Sequence, residues 1–267
     1  MGEVITFTSG KGGVGKTTTT ANVGVGLSLL DKKVVLVDTD IGLRNLDVVM
    51  GLENRILYNL VDVLTGRCRM KQALIRDRRY PNLSVIPSSC SNESKGKLGE
   101  KQMKQLFNDL REEFDYILVD SPAGIDDGFR LATFDADRII VVTTPQIAAI
   151  HDADCVLQLL RRQKLPEPRL LVNCVRRQMV RDGNMLDVPD ICELLGTELI
   201  GIVLEDEEVI ICQNHGEPVM GRHTVSEGCY QNIARRIAGE EVEIPDYMRR
   251  RSIFSRILLG NTARKLV

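Results

Sequence analysis

The chain of 267 residues has no excess of charge of either sign: 35 lysines and arginines face 37 aspartates and glutamates, a net charge of -2. So even a balance gives no overall reason to expect nucleic acid as a partner, and any electrostatic attraction has to be local. Paired cysteines are also missing. The seven thiols (Cys68, Cys90, Cys155, Cys174, Cys192, Cys212 and Cys229) stand singly with no CxxC, and His151, His215 and His223 add no metal-ligand spacing. Scattered thiols, several in apolar runs, are expected to be reduced small hydrophobes in a cytosolic protein, and a metal or iron–sulfur site is not expected. No apolar run approaches the ~20 residues that span a bilayer. There is no internal repeat and no low-complexity stretch. A charged leader followed by an apolar stretch is lacking as well, which argues against secretion. Met1-Gly2 with Thr6 fits the loose myristoylation pattern, but Val4-Ile5-Thr6-Phe7 reads better as a buried first strand.

What is present is ordinary in bulk, 43% apolar and 27% charged residues, in a chain long enough to bury one large core. Short runs rich in Val and Ile predict strands at Val4–Thr8, Lys33–Asp38, Leu83–Pro87, Tyr116–Ser121, Arg138–Thr143, Arg169–Val175 and Glu198–Val203. These runs are apolar throughout, the pattern of a parallel sheet covered on both faces. Between them, helices are expected at Lys16–Leu30, Gly99–Glu113, Ala148–Gln163, Val188–Leu195, Glu207–Asn214 and Ser226–Ala238. The β-then-α order implies one doubly wound α/β domain over residues 1–245, with a mostly parallel sheet between helix layers. After Pro245 the character changes, and residues 246–267 are read as a tail.

Gly10-Lys11-Gly12-Gly13-Val14-Gly15-Lys16-Thr17 is a full GxxxxGK[ST] match between a strand and a helix. Glycines let backbone N–H groups converge on phosphates, and the helix N-terminus adds partial positive charge, with Thr18 continuing the nucleotide-binding stretch. Lys16 is expected to pair with the β- and γ-phosphates and Thr17 to ligate Mg²⁺. The alternative, a glycine-rich turn with a chance lysine, does not account for the strand and helix on its two sides. Lys11 cannot easily reach its own γ-phosphate while Lys16 fills that space. It is therefore expected to cross a two-fold interface to a partner's nucleotide, as an arginine finger does; the bland alternative is a solvated loop lysine. Asp38 and Asp40 follow a Val-rich strand and emerge at the carboxyl edge of the sheet, where α/β proteins place ligands. Mg²⁺ and the two lysines would offset their repulsion from a triphosphate. Asp120 ends Tyr116-Ile-Leu-Val-Asp and reads as a Walker B acid reaching Mg²⁺. Without the phosphate loop, either acidic cluster could equally be a set of edge acids capping a helix.

With Lys11-Gly-Gly-Val-Gly-Lys16-Thr17 the chain resembles the MinD/ParA class of P-loop ATPases with a deviant Walker A signature, and within it the MinD branch. Asp38-Thr-Asp40-Ile-Gly-Leu-Arg44-Asn45-Leu-Asp47, Asp120-Ser121-Pro122-Ala123-Gly124, Asp152-Ala-Asp154 and Gly216-Glu217-Pro218-Val219 carry the likeness, which covers nearly the whole chain. The resemblance implies an ATP- and Mg²⁺-dependent ATPase that forms a homodimer with ATP, recruits a division inhibitor and positions the septum. Asp40 then orients the attacking water, and Asp38 holds the outer shell of the metal or the switch loop. Arg44, Asn45 and Ser121 belong to switch segments, Asp152 and Asp154 to coupling and partner binding, and Asn173 reads adenine through its amide. MinC-like and MinE-like partners are implied too. Thr144, Gln146 and His151 stand where Asn, Glu and Arg are usual in the family, a departure that touches partner recognition.

The tail carries Arg249-Arg250-Arg251-Ser252-Ile253-Phe254-Ser255-Arg256-Ile257-Leu258-Leu259. At about 100° per residue, Ile253, Phe254, Ile257 and Leu258 share one face, with Ser252, Ser255 and Arg256 opposite and Arg251 at the border. Such a helix is too short to span a bilayer but fits its interface, with arginines on anionic headgroups. The expectation is a peripheral protein on the cytoplasmic face of the cell membrane; the alternative is a terminal helix docked on the body. Three other functions compete. A ParA-like DNA-segregation ATPase needs a basic surface, which a pI near 6.0 does not suggest. An iron–sulfur scaffold or nitrogenase-type reductase needs closely placed cysteines. A ligase or kinase of this fold leaves the tail without a role.

Overall fold

The computed structural model describes residues 1–90 and 99–246. The tail residues expected to touch a membrane, Arg251, Ile253, Phe254, Arg256, Ile257 and Leu258, lie outside the described residues, as does the rest of the tail beyond Asp246.

Eight strands form one sheet: β1 Glu3–Thr8, β2 Val34–Asp38, β3 Ile75–Arg76, β4 Leu83–Ile86, β5 Tyr116–Asp120, β6 Arg138–Thr143, β7 Arg169–Val175 and β8 Leu199–Leu204. Their order across the sheet is β3-β4-β2-β5-β1-β6-β7-β8. Every pairing is parallel except β3 with β4. The helices are α1 Lys16–Ser28, α2 Leu46–Val49, α3 Leu60–Leu64, α4 Met70–Ala73, α5 Glu100–Glu113, α6 Asp127–Thr133, α7 Ile147–Arg162, α8 Arg177–Arg181, α9 Val188–Leu195, α10 Glu207–Asn214 and α11 Val225–Ile237. All seven expected strands and all six expected helices form, with ends shifted by at most two residues. The sequence reading missed β3, a two-residue antiparallel edge, and the five short helices α2, α3, α4, α6 and α8.

Alternation along each strand sends neighbouring side chains to opposite layers. Val4, Val35, Val37, Ile117 and Val119 enter the layer that α5 fills with Met103, Leu106, Phe107 and Leu110. Ile5, Phe7, Leu36 and Leu118 enter the layer of α1 and α11. Twelve of the thirteen residues of α1 are buried, so this helix lies inside the domain with no solvent face. It fits because Gly24 and Gly26 let it approach closely: a Cβ on Gly24 would sit 2.4 Å from Leu36 Cδ2, and one on Gly26 would sit 2.8 Å from Ala234 Cβ. At the chain start, Gly2 is buried with its N–H donated to the Arg111 carbonyl at 2.9 Å, which fits the strand reading of this segment.

The central strand β1 has β5 on one side and β6 on the other. The phosphate-loop sequence leaves β1 at this point and enters α1. Asp120 pairs in register with both Phe7 and Asp38, so β2, β5 and β1 deliver their ends to one place. No helix among the described residues is long and apolar enough to cross a membrane.

Candidate functional site

The loop between β1 and α1 turns on Gly13 and Gly15, at φ of 81° and 84°, a left-handed conformation in which a side chain would be strained. A Cβ on Gly15 would also lie 2.2 Å from Asn173 Nδ2, and one on Gly10 would lie 2.2 Å from the Asp152 carbonyl oxygen. The loop is thus seated between the start of α7 and Asn173, while the exposed Gly12 and Gly13 face open space. It borders a cleft of about 680 Å³ whose walls include Asp40, Asn45, Asn173, Asp206 and Gln213.

At the floor, three side chains of α1 converge on Asp120. Lys16 Nζ donates to Asp120 Oδ1 at 2.8 Å, Thr17 Oγ1 to Oδ2 at 2.7 Å, and Thr20 Oγ1 to Oδ1 at 3.4 Å. The side chains of Lys16 and Asp120 are 8% and 1% exposed, so this is a buried, charge-assisted pair. Thr39 Oγ1 adds a bond to the Asp120 carbonyl at 2.8 Å, joining the end of β2 to the same point.

Asp38 is buried beside Asp120. One oxygen accepts from Asp40 N–H at 2.9 Å, and the other from Asn45 and Leu46 N–H at 3.4 and 3.3 Å. Both oxygens thereby organise the segment of residues 40–46. Burial, and after it the negative charge of Asp120, holds the Asp38 carboxyl well above the usual carboxylate range, against the pull of the Asp40 and Leu46 N–H groups. The folded chain therefore keeps this proton to a higher pH than the unfolded chain does. The stability tied to it is present below the unfolded value and lost as pH rises through the folded one. Asp38→Asn lacks that step. Its stability relative to the parent, measured by urea unfolding across a pH series, is expected to rise from acid toward neutral pH; a flat difference contradicts the assignment.

Asn173 occupies the cleft wall, but its amide is engaged: Nδ2 donates to the Val14 carbonyl at 2.9 Å. The β7–β8 register shifts between Val172 and Val175, and Cys174 takes a left-handed φ of 55°. A bulge of this kind re-aims a side chain, here turning Asn173 onto the phosphate loop at the cost of local strain. Thr18, expected at the nucleotide, takes a bond from Gln213 Nε2 of α10. Gln213 escaped the sequence reading because only the docking of α10 on the start of α1 brings it there. Asn22 explains the Gly216–Val219 segment, accepting from Val219 N–H at 2.8 Å and donating to the Thr18 carbonyl at 2.9 Å.

Arg44 and Ser121, expected in switch segments, are both tied inward. Arg44 pairs with Asp47, whose side chain is fully buried, through Nε at 3.0 Å and through Nη2, so its charge compensates a buried acid. Ser121 is buried and donates to the Pro122 carbonyl at 2.9 Å. Asn45 is exposed at the cleft, and Asp40 is half-buried beside it. On α7, Asp154 accepts from Gln158 at 2.6 Å, and His151 lies 3.7 Å from Asp152, both near the helix surface. Asp152 touches the phosphate loop through its backbone at Gly10, which gives α7 a direct mechanical link to the site. Lys11 is exposed on the loop, and its carbonyl accepts from Ser9 Oγ at 3.0 Å.

The donor set fits a magnesium nucleotide. Asp120 meets Lys16 and the Thr17 hydroxyl, with the buried Asp38 beside it. The hard oxygens of this cluster suit Mg²⁺. The glycine loop at the start of α1 is the backbone arrangement that receives phosphate.

A family model described as an AAA domain matches residues 2–167. The septum site-determining protein MinD of Bacillus subtilis is 50% identical over 246 residues, covering 91% of this chain and 92% of that protein. Among solved structures, the MinC:MinD cell division protein complex of Aquifex aeolicus superposes with a TM-score of 0.86 at 41% identity, covering 92% of this chain and 99% of that one. The septum site-determining protein MinD of Pyrococcus horikoshii, solved with Mg-ADP, gives a TM-score of 0.80 at 26% identity over 91% and 100% of the two chains. With half its residues matched along nine-tenths of the length, and with the phosphate loop, Asp40 and Asp120 gathered at one sheet edge, this chain belongs to the MinD family of P-loop ATPases.

Proposed function

We propose that this chain hydrolyses ATP, dimerises while ATP is bound, and uses that cycle to hold and release the inner face of the cell membrane, where it recruits a division inhibitor and helps set the septum. The convergence of Lys16 and Thr17 on Asp120 at the start of α1 carries the reading. Mg-ATP, when bound, supplies the anhydride to be broken and a divalent charge beside it. Thr17 and Asp120 are the oxygen donors that would hold the metal, and the loop N–H groups with Lys16 would hold the β- and γ-phosphates. Asp40, on the loop organised by Asp38, would orient water toward the γ-phosphate. Lys11, exposed at the mouth, would supply a charge to the partner's nucleotide. Asn173 would meet the base from the strand end that braces the loop.

A cycle follows from weak anchors. Each arginine near an anionic surface is worth about 1 kcal/mol, and one short apolar face adds only a few more. A single tail is therefore reversible. Two tails on one dimer raise avidity ~10²–10⁴-fold through effective concentration, and hydrolysis removes that gain. MinC-like and MinE-like proteins are the partners this reading expects; the Aquifex homologue solved as a MinC:MinD complex supports the first.

Co-sedimentation with anionic liposomes tests the cycle with ATP and with ADP, for the full chain and for a chain ending at residue 246. Binding is expected in the ATP, full-length case alone. Equal binding in all four cases contradicts the proposal, and strong salt-sensitive retention on DNA would favour a partition-type ATPase instead.

A further inference from the structure

Two cleft walls, α2 with Val48 and Val49 and α10 with Val209, Ile210 and Gln213, end against each other. A left-handed glycine follows each helix, Gly51 at φ 62° and Gly216 at φ 65°. The two glycines touch: a Cβ on Gly51 would lie 2.5 Å from the Gly216 carbonyl oxygen, and one on Gly216 would lie 2.7 Å from Gly51 Cα. Glycine alone meets both the conformation and the approach.

Arg79 closes this contact. Its Nη1 donates to the Gly216 carbonyl at 3.2 Å and its Nη2 to the Met50 carbonyl at 2.5 Å. Nε and Nη2 also hold the Asp77 carboxylate at 3.2 and 2.8 Å. Asp77 is 2% exposed, and its N–H is bonded to the Leu83 carbonyl at 3.0 Å, which roots the assembly in the sheet edge. One planar guanidinium thereby serves carbonyls at the ends of two helices, where their dipoles favour a cation. At its other end α2 is held by Asp38 through Leu46 N–H, and the loop that carries Asp40 runs from Asp38 into that end of the helix.

We propose that Arg79 is a positioning residue for ATP turnover: by fastening the end of α2 to the turn after α10, it holds the Asp40 loop at the depth hydrolysis requires. The proposal rests on the ATPase reading and on the role of Asp40 in it. Arg79 does not line the phosphate loop, so its effect should fall on turnover more than on nucleotide affinity.

The test uses full-length protein, steady-state ATP hydrolysis, Mg-ADP titration and hydrogen exchange. In Arg79→Ala, kcat is expected to fall about tenfold or more, in line with the loss that a misplaced reacting group causes. The Mg-ADP Kd should stay within about threefold, the split that marks an interaction needed for the reaction rather than for binding. Exchange should quicken at the Val49 and Met50 amides and stay unchanged in β1 and α1. Arg79→Lys, which cannot reach both carbonyls and the carboxylate at once, should recover only part of the turnover. Gly216→Ala forces the two turns apart while leaving Arg79 and Asp77 intact, so it should reproduce the pattern and decides the matter if Arg79→Ala does not fold. Unchanged turnover, or equal losses of turnover and affinity with exchange raised throughout the chain, overturns the proposal. A parent with no ATP turnover would instead overturn the ATPase reading itself.

Discussion

Replacing Lys16 with alanine is expected to abolish ATP turnover and, independently, to destabilise the fold by about 3–5 kcal/mol, the usual consequence of removing one partner of a buried ion pair. Lys16 is bonded to Asp120 in a place almost closed to solvent. Without it, Asp120 keeps the hydroxyls of Thr17 and Thr20 but faces the buried Asp38 with no neighbouring cation. Repulsion and desolvation then act together on two carboxyls. The two consequences can be separated. Adding Asp120→Asn to Lys16→Ala removes the stranded charge, so urea unfolding should recover much of the lost stability, while hydrolysis stays absent. A Lys16→Ala protein as stable as the parent would show that the pair contributes little, and one that still hydrolyses ATP would remove the basis for the proposed site.

Lys11→Ala should behave in the opposite way. Lys11 is exposed on the loop and borders the cleft, so its loss should leave the unfolding midpoint close to the parent's. If its charge acts across a dimer, however, turnover should fall by ~10³-fold or more, the scale on which a charge supplied to a partner's phosphoryl group acts. Mixing Lys11→Ala with an Asp40→Ala protein gives a sharper form of the experiment. If Lys11 acts in trans, one active site of the mixed dimer has both residues and the other has neither, so part of the activity should return. Full activity in Lys11→Ala alone contradicts action in trans.

Much of this was legible in the residues, for identifiable reasons. Strands such as Val34–Asp38 are apolar on both faces, which only a two-sided burial explains, and the phosphate-loop spacing fixes a strand before it and a helix after it. The short elements were not legible. Helices of four to seven residues such as α2 and α6 are shorter than the pattern that identifies a helical face, and β3 is two residues with Arg76 exposed. Side-chain direction was the other gap. Asn173 lines the cleft, but the bond of its amide to Val14, set by the bulge at Cys174, has no signal in the local sequence. Arg44, expected in a switch segment, has an internal partner in the buried Asp47 of which the sequence carries no sign. The contact of Gly51 with Gly216 joins segments far apart in the chain, and no local pattern announces it.

A bound triphosphate is expected to draw two subunits together, and the grip of two weak tails depends on that contact. Light scattering of the full-length Asp40→Ala protein, whose hydrolysis should be slow, tests it most directly in the presence of Mg-ATP and of Mg-ADP. A mass of 29.8 kDa with ADP that doubles with ATP is the predicted result. The same mass with both nucleotides would contradict the account.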